Sequence, residues 1–161
     1  MKKITIIMAG IISCAMLAGC GNTASSGSES SASESAASKT PAEKTAELLA
    51  AVEFPSMVEL TSDDLSARYS IEPDEISGFS AYICGSGAMP DEFGVFEAVD
   101  EDNAAEIKTA LEERIEKQRD TYADYTPGEM YKFDDCFVKQ NGTTVIYAIC
   151  ADNSAAEDIL G

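Results

Sequence analysis

What most limits the fold available to this chain is its first 40 residues, a short apolar run followed by a stretch that offers a core almost nothing to bury. Residues 21–39 read GNTASSGSESSASESAASK, small and polar throughout, with Thr23 the single β-branched side chain and no aromatic ring. Burying such a segment gains too little to offset the entropy lost on ordering it, so we read it as a tether. Ahead of it, Lys2 and Lys3 precede an uncharged, largely apolar run from Ile4 to Leu17, closed by the small residues Ala18 and Gly19. A positive start, an apolar middle and a small-residue end make an export leader, and the run is shorter than the roughly 20 residues a membrane-spanning helix needs. The expected organisation is a signal peptide at 1–19, a flexible Ser/Ala-rich segment at 20–40 and one globular domain at 41–161. A chain of that size buries roughly two-thirds of its unfolded surface, so a core is possible without metal or disulfide staples.

Leu17-Ala18-Gly19-Cys20 resembles the bacterial lipobox. In chains with that motif the cysteine sulfur takes a diacylglyceryl group and becomes the new N-terminus once the leader is cut away. Two acyl chains, at about 0.8 kcal/mol per buried CH₂, hold far more durably than one. The resemblance therefore implies lipidation of Cys20 and a domain on the extracytoplasmic side of the membrane. The tether would span roughly 25 Å as a coil and about 65 Å fully extended, enough to clear lipid headgroups.

Charge narrows the partners. Eleven basic residues stand against 29 acidic ones, a net charge of −18, and loss of Lys2 and Lys3 with the leader makes the remainder more acidic still. Such a surface repels phosphate backbones and anionic headgroups, which excludes nucleic acid and holds the domain off the bilayer. The chain contains no His and no Trp. Ser-His-Asp and Cys-His catalysis, His-ligated zinc and the commonest neutral-pH base are thereby ruled out.

Thr40-Pro41-Ala42-Glu43 combines an N-cap, a proline for the first helical position and a glutamate for a capping box; a helix begins there, with Leu48, Leu49 and Val52 on one face and Pro55 ending it. A second short helix is expected over Asp63–Tyr69, capped by Ser62, with Leu65 and Tyr69 inward. Ile71–Asp74 reads as a turn. Phe79–Cys84 and Glu92–Val99 read as paired strands around Gly85-Ser86-Gly87, the second with apolar residues on both faces and hence central. The strongest helix runs from about Ala104 to Tyr122, capped by Asn103. Ala104, Ile107, Leu111, Ile115, Gln118 and Tyr122 form its stripe, and its opposite, charged side is a solvated face. Asp135–Lys139 and Thr143–Cys150 form a last hairpin about an Asn141-Gly142 turn, pairing Gln140 with Thr143 and Phe137 with Ile146. The expected fold class is α+β: an antiparallel sheet of about four strands, in two hairpins, packed against one long helix, with short N-terminal helices.

In this order the features resemble a family of clostridial lipoproteins known as domain of unknown function 4358. Tyr69-Ser70-Ile71, Pro90–Phe96, Arg114–Arg119, Tyr125-Thr126-Pro127 and the Gly142 hairpin carry the resemblance, which covers Ala50–Cys150. It implies an anchored exterior domain and brings no activity, substrate or catalytic residue with it.

No constellation of residues suggests a catalytic, metal or cofactor site. Cys84, Cys136 and Cys150 remain after Cys20 and the leader's Cys14; buried reduced thiols are expected ahead of one disulfide, and redox or metal chemistry last, since no Cys-x-x-Cys occurs. In the hairpin register above, Cys136 and Cys150 lie on opposite sides of the sheet and cannot bridge, leaving Cys84 as the open partner for either. The acidic runs Asp63-Asp64, Asp91-Glu92, Asp100–Asp102 and Asp134-Asp135 lack EF-hand spacing, and we read them as caps and loop decoration ahead of calcium ligands. A glycosidase-like carboxylate pair cannot be picked out among so many acids. Gly85–Pro90 fits neither a nucleophile elbow nor a phosphate loop and is read as a flexible hairpin loop with Met89 as an exposed apolar tip. Tyr122, Tyr125 and Tyr131 are read as capping a core ahead of forming a binding platform. Asn141-Gly142-Thr143 is turn chemistry rather than a glycosylation site. The preferred reading is a membrane-anchored, non-catalytic interaction or binding module with a cell-envelope protein as partner; the alternative is an extracytoplasmic enzyme or a small-ligand or calcium carrier using Asp, Glu and Tyr.

Overall fold

A computed structural model describes residues 39–161. Leu17, Ala18, Gly19 and Cys20, with the leader and nearly all of the tether, lie outside the described residues. The chain runs α1 (Pro41–Ala51), β1 (Met57–Glu59), α2 (Ser62–Tyr69), β2 (Ile76–Cys84), β3 (Glu92–Ala98), α3 (Glu101–Tyr125), a 3₁₀ segment (Pro127–Phe133), β4 (Phe137–Asn141), β5 (Thr144–Ile149) and α4 (Asn153–Leu160). The fold is α+β. Among the described residues one sheet forms, of five antiparallel strands in the order β1-β2-β3-β5-β4, so β3 is central as its two-sided apolar pattern requires.

The fifth strand, β1, is the addition to the four expected; three residues are too few for alternation to register in sequence. The capping box of α1 forms as read, Thr40 Oγ1 accepting from the Glu43 amide and Glu43 accepting from Thr40 N at 2.8 Å. Two caps fall elsewhere. Thr61, not Ser62, caps α2, its amide donating to Asp64 at 3.0 Å. Asp100, not Asn103, caps α3, accepting from Asn103 N at 2.8 Å, so the helix starts three residues earlier than its apolar stripe does. β2 likewise begins at Ile76 rather than Phe79, with an irregularity between Ile76 and Gly78.

The last hairpin is present with its register displaced by two residues: Gln140 pairs with Val145 and Phe137 with Ala148. The two loop residues are Gly142 and Thr143, and only Gly142 has positive φ, at 58°. A type I′ Asn-Gly turn needs φ > 0 at both central positions, whereas glycine in the first position alone satisfies a type II′ turn, and the chain adopts that pattern. A two-residue slip preserves which face each side chain takes, so the sidedness inferred for the cysteines survives.

Both faces of the sheet are covered. On one, α2 and α3 pack Leu65, Tyr69, Ile107 and Leu111 against Phe96, Val145 and Tyr147. On the other, α1 and the unanticipated α4 pack Leu48, Ala156 and Leu160 against Phe93, Val95 and Ile146. Lys44 fastens these two helices together, its ammonium donating to the Leu160 carbonyl at 2.6 Å. Gly94 sits where β3 lies closest to its neighbours: a Cβ there would come within 2.8 Å of Ala81 Cβ. Among the described residues no helix is long and apolar enough to cross a membrane.

Candidate functional site

Consecutive residues at the head of the central strand, Asp91 and Glu92, are almost wholly buried, at 2% and 1% exposure. They were expected to cap or decorate loops. A buried carboxylate is tolerable only when paired and hydrogen-bonded, and each finds its own cation. Glu92 is gripped by Arg114 of α3: Nε lies 2.9 Å from Oε1 and Nη2 2.6 Å from Oε2, while Gln118, one turn on, adds Nε2 at 3.3 Å. The i, i+4 spacing of Arg114 and Gln118, beside the buried Leu111 and Ile115, aims both at the same carboxylate. Burial pushes the Glu92 carboxyl above its usual range, against the pull of Arg114.

Beneath the guanidinium lies the Tyr69 ring, 4.3 Å from Cζ to centroid, a cation–π contact from the end of α2. The Tyr69 hydroxyl shares a 2.7 Å hydrogen bond with that of Tyr147 on β5. Burial drives both phenols well above their ordinary pKa, and the nearby Glu92 adds to the effect.

Above this network opens a cleft of about 420 Å³, within the range of small-molecule sites. Arg68, Arg114 and Gln118 supply its polar wall, and Val58, Ile83 and Met89 its apolar one. Tyr122 is buried, and its hydroxyl donates to the carbonyls of Gly87 (3.1 Å) and Met89 (2.9 Å), tying the β2–β3 loop to α3. That loop was expected to be free. Met89 is exposed at its tip as anticipated.

Asp91 takes the other direction. Its Oδ2 accepts from Lys132 Nζ of the 3₁₀ segment at 2.6 Å, and Lys132 also reaches Glu129 at 2.7 Å. The Lys132 carbonyl accepts from Asn153 at the head of α4, and Asn153 Oδ1 accepts from the Cys150 amide at 3.0 Å and faces the Cys150 thiol at 3.4 Å. Burial pushes the Cys150 thiol up to about 11, a value for an inert group. Burial also raises Cys136. Cys84, Cys136 and Cys150 are all free thiols.

The remaining sequence candidates scatter. Asp64 and Asp100 cap helices. Asp134 and Asp135 line a wider depression with Asp152, Glu157 and Asp158, but among the described residues no group of His, Cys, Asp or Glu is arranged to hold a metal ion. Tyr125 and Tyr131 are exposed while Tyr122 is buried, so the three tyrosines neither share a core nor present one platform. The Glu92–Arg114 pair itself escaped sequence reading. Its one local signal was Gln118, a polar residue within the otherwise apolar stripe of α3, with Arg114 one turn before it.

Two of the stretches that carry the family resemblance meet at this cleft, Asp91 and Glu92 from 90–96 and Arg114 and Gln118 from 114–119, and a third, through Tyr69, lies beneath Arg114. A family model described as a domain of unknown function (DUF4358) matches residues 50–150. No curated protein and no solved structure matches the chain.

Proposed function

The chain belongs to the DUF4358 family, and from that premise we propose that it is a bacterial lipoprotein of clostridial type, an extracytoplasmic, non-catalytic binding module anchored through Cys20. Its ligand or partner enters the cleft between the β2–β3 loop and α3. The anchor is supported by the lipobox-like Leu17-Ala18-Gly19-Cys20, and the outward location by the acidity that repels a membrane surface. Binding is carried by one observation: the cleft is open, yet the carboxylates at its floor are locked to Arg114 and Lys132. A carboxyl gripped by two guanidinium nitrogens and an amide is a rigid recognition surface and a poor proton carrier, which places an enzyme or calcium carrier second.

Two measurements test the parts separately. Cys20→Ser should leave the domain folded and move it from the membrane to the soluble fraction; a variant that stays with the membrane removes the anchor from the proposal. A photo-crosslinking side chain at Met89, on intact cells, should yield a discrete adduct, while the same group at Glu113, on the solvated side of α3, yields none. Equal labelling from both positions would falsify the cleft as the binding site.

A further inference from the structure

The hydrogen-bonding valences of the cleft are unbalanced. Most of its acceptors are engaged: Glu92 by Arg114 and Gln118, Asp91 Oδ2 by Lys132, and the Gly87 and Met89 carbonyls by the shared hydroxyl proton of Tyr122. Its donors are not. Arg68 uses only Nε, on Asp64 at 3.1 Å, and among the described residues its terminal nitrogens donate to nothing. Arg114 turns Nη1 to the Arg68 carbonyl at a long 3.3 Å, which puts its guanidinium against the residue that carries the second one. A guanidinium has five N–H donors in a planar fork that fits a carboxylate through two bonds at once.

Beside these donors stand exposed apolar side chains, Val58 at 49% and Met89 at 39%, with Ile83 between strand and cleft. Water-facing hydrophobic groups next to unmet donors suit a ligand with an oxygen-bearing end and an oily body. The surroundings select its charge. In a chain of net charge −18, with Asp91 and Glu92 at the cleft floor, a dianion such as a phosphate monoester is repelled more than a monoanion. Resting on the binding-module reading, we propose that the cleft holds the carboxylate of a monoanionic ligand with an apolar body, the acid meeting Arg68 and Arg114 and the body lying on Val58 and Met89.

Two sources share this chemistry, a fatty acid and the C-terminus of a peptide with an apolar last residue. Titration of the full chain with octanoate and with N-acetyl-Ala-Leu, each against its amide, tells them apart while the amides control for non-specific partition. At least one acid should bind ten times or more tightly than its amide. Arg68→Ala should weaken that acid at least tenfold, Arg68→Lys less, and Met89→Glu should weaken it without touching either arginine. Binding should fade as pH falls through the range in which the ligand's carboxylate takes up its proton, about 3.5 for the dipeptide's α-carboxyl and higher for the fatty acid. Octanoate alone identifies a lipid-derived acid, the dipeptide alone a chain terminus, and either result supports the inference. Failure of both acids, parity of acid and amide, or indifference to Arg68→Ala overturns it. Because Met89 crosslinking does not depend on ligand charge, an adduct there with no acid bound leaves the module standing and removes only the ligand class.

Discussion

Asp91 and Glu92 are neighbours in the chain, yet their ion pairs belong to different kinds of structure. Lys132, 5% exposed and outside the cleft's lining, meets Asp91 from behind the cleft floor, between the 3₁₀ segment and the head of α4. Arg114, 14% exposed, meets Glu92 on the floor of an open cleft. In the closed pair each charge depends on the other, with Glu129 the one further support. In the open pair the guanidinium has spare donors and access to water. The first is a staple, and the second, on the proposed reading, holds a recognition group in place.

The sharpest test is to remove one partner of the staple. Lys132→Ala leaves Asp91 buried without its cation, and the domain should lose about 3–5 kcal/mol, lowering its thermal midpoint by roughly 10–20 °C. Replacing both groups, Asp91→Asn with Lys132→Met, should recover most of that loss, because the cost lies in the orphaned charge rather than in any large net gain from the pair. A loss below about 1 kcal/mol for Lys132→Ala in calorimetry would remove the distinction. The matching change in the open pair, Glu92→Gln, should cost less, about 2 kcal/mol, since water entering the cleft can solvate the freed Arg114. If Glu92→Gln is the more damaging of the two, the cleft is closed in solution.

Alkaline pH should strain both settings together. The Cys150 thiol, which faces Asn153 beside the staple, has its pKa raised by burial from an ordinary 9.0 to about 11. Burial raises the Tyr69 and Tyr147 phenols under Arg114 as well. Groups whose folded pKa exceeds the unfolded one stabilise the fold fully below the unfolded value, and the contribution is lost as pH climbs through the folded value. Stability to urea should therefore hold to about pH 9 and fall between pH 9 and 11, with Cys150 accounting for about 2 kcal/mol of the drop. Cys150→Ala should shallow that slope, and an unchanged slope would show that the thiol ionises freely.

These pairs also mark where sequence reading stops. The capping box of α1, the stripe of α3 and the existence of both hairpins were legible, since each is set by residues within a few positions of one another. β1 was not, because Met57–Glu59 is too short and too exposed to show a period. α4 spans only eight residues, and its signal is the Asp152 cap followed by Ala156 and Leu160 one turn apart. The register of the last hairpin turned on which residue occupies the first turn position, a backbone choice that Asn141-Gly142 leaves open. The cleft depends on α3 crossing the head of β3 so that residues 22 apart in sequence, Glu92 and Arg114, meet. Periodicity placed each element without giving that crossing, and an acidic doublet in an acidic chain reads as surface until its cations are seen.

The smallest expected effect is the one that separates recognition from architecture. Arg68 lines the same cleft as Arg114, but its side chain is 47% exposed and its one ion pair among the described residues, with Asp64, is an i, i+4 contact on the surface of α2. Exposed pairs of that kind contribute about 0.3–0.5 kcal/mol. Arg68→Ala should therefore move the unfolding midpoint in urea by no more than the equivalent of about 0.5 kcal/mol, while Arg114→Ala, which strips Glu92 of its main partner, should behave like the loss of a buried ion pair. A large destabilisation by Arg68→Ala would make Arg68 part of the scaffold. A small one leaves its unspent donors to be explained by what the cleft receives.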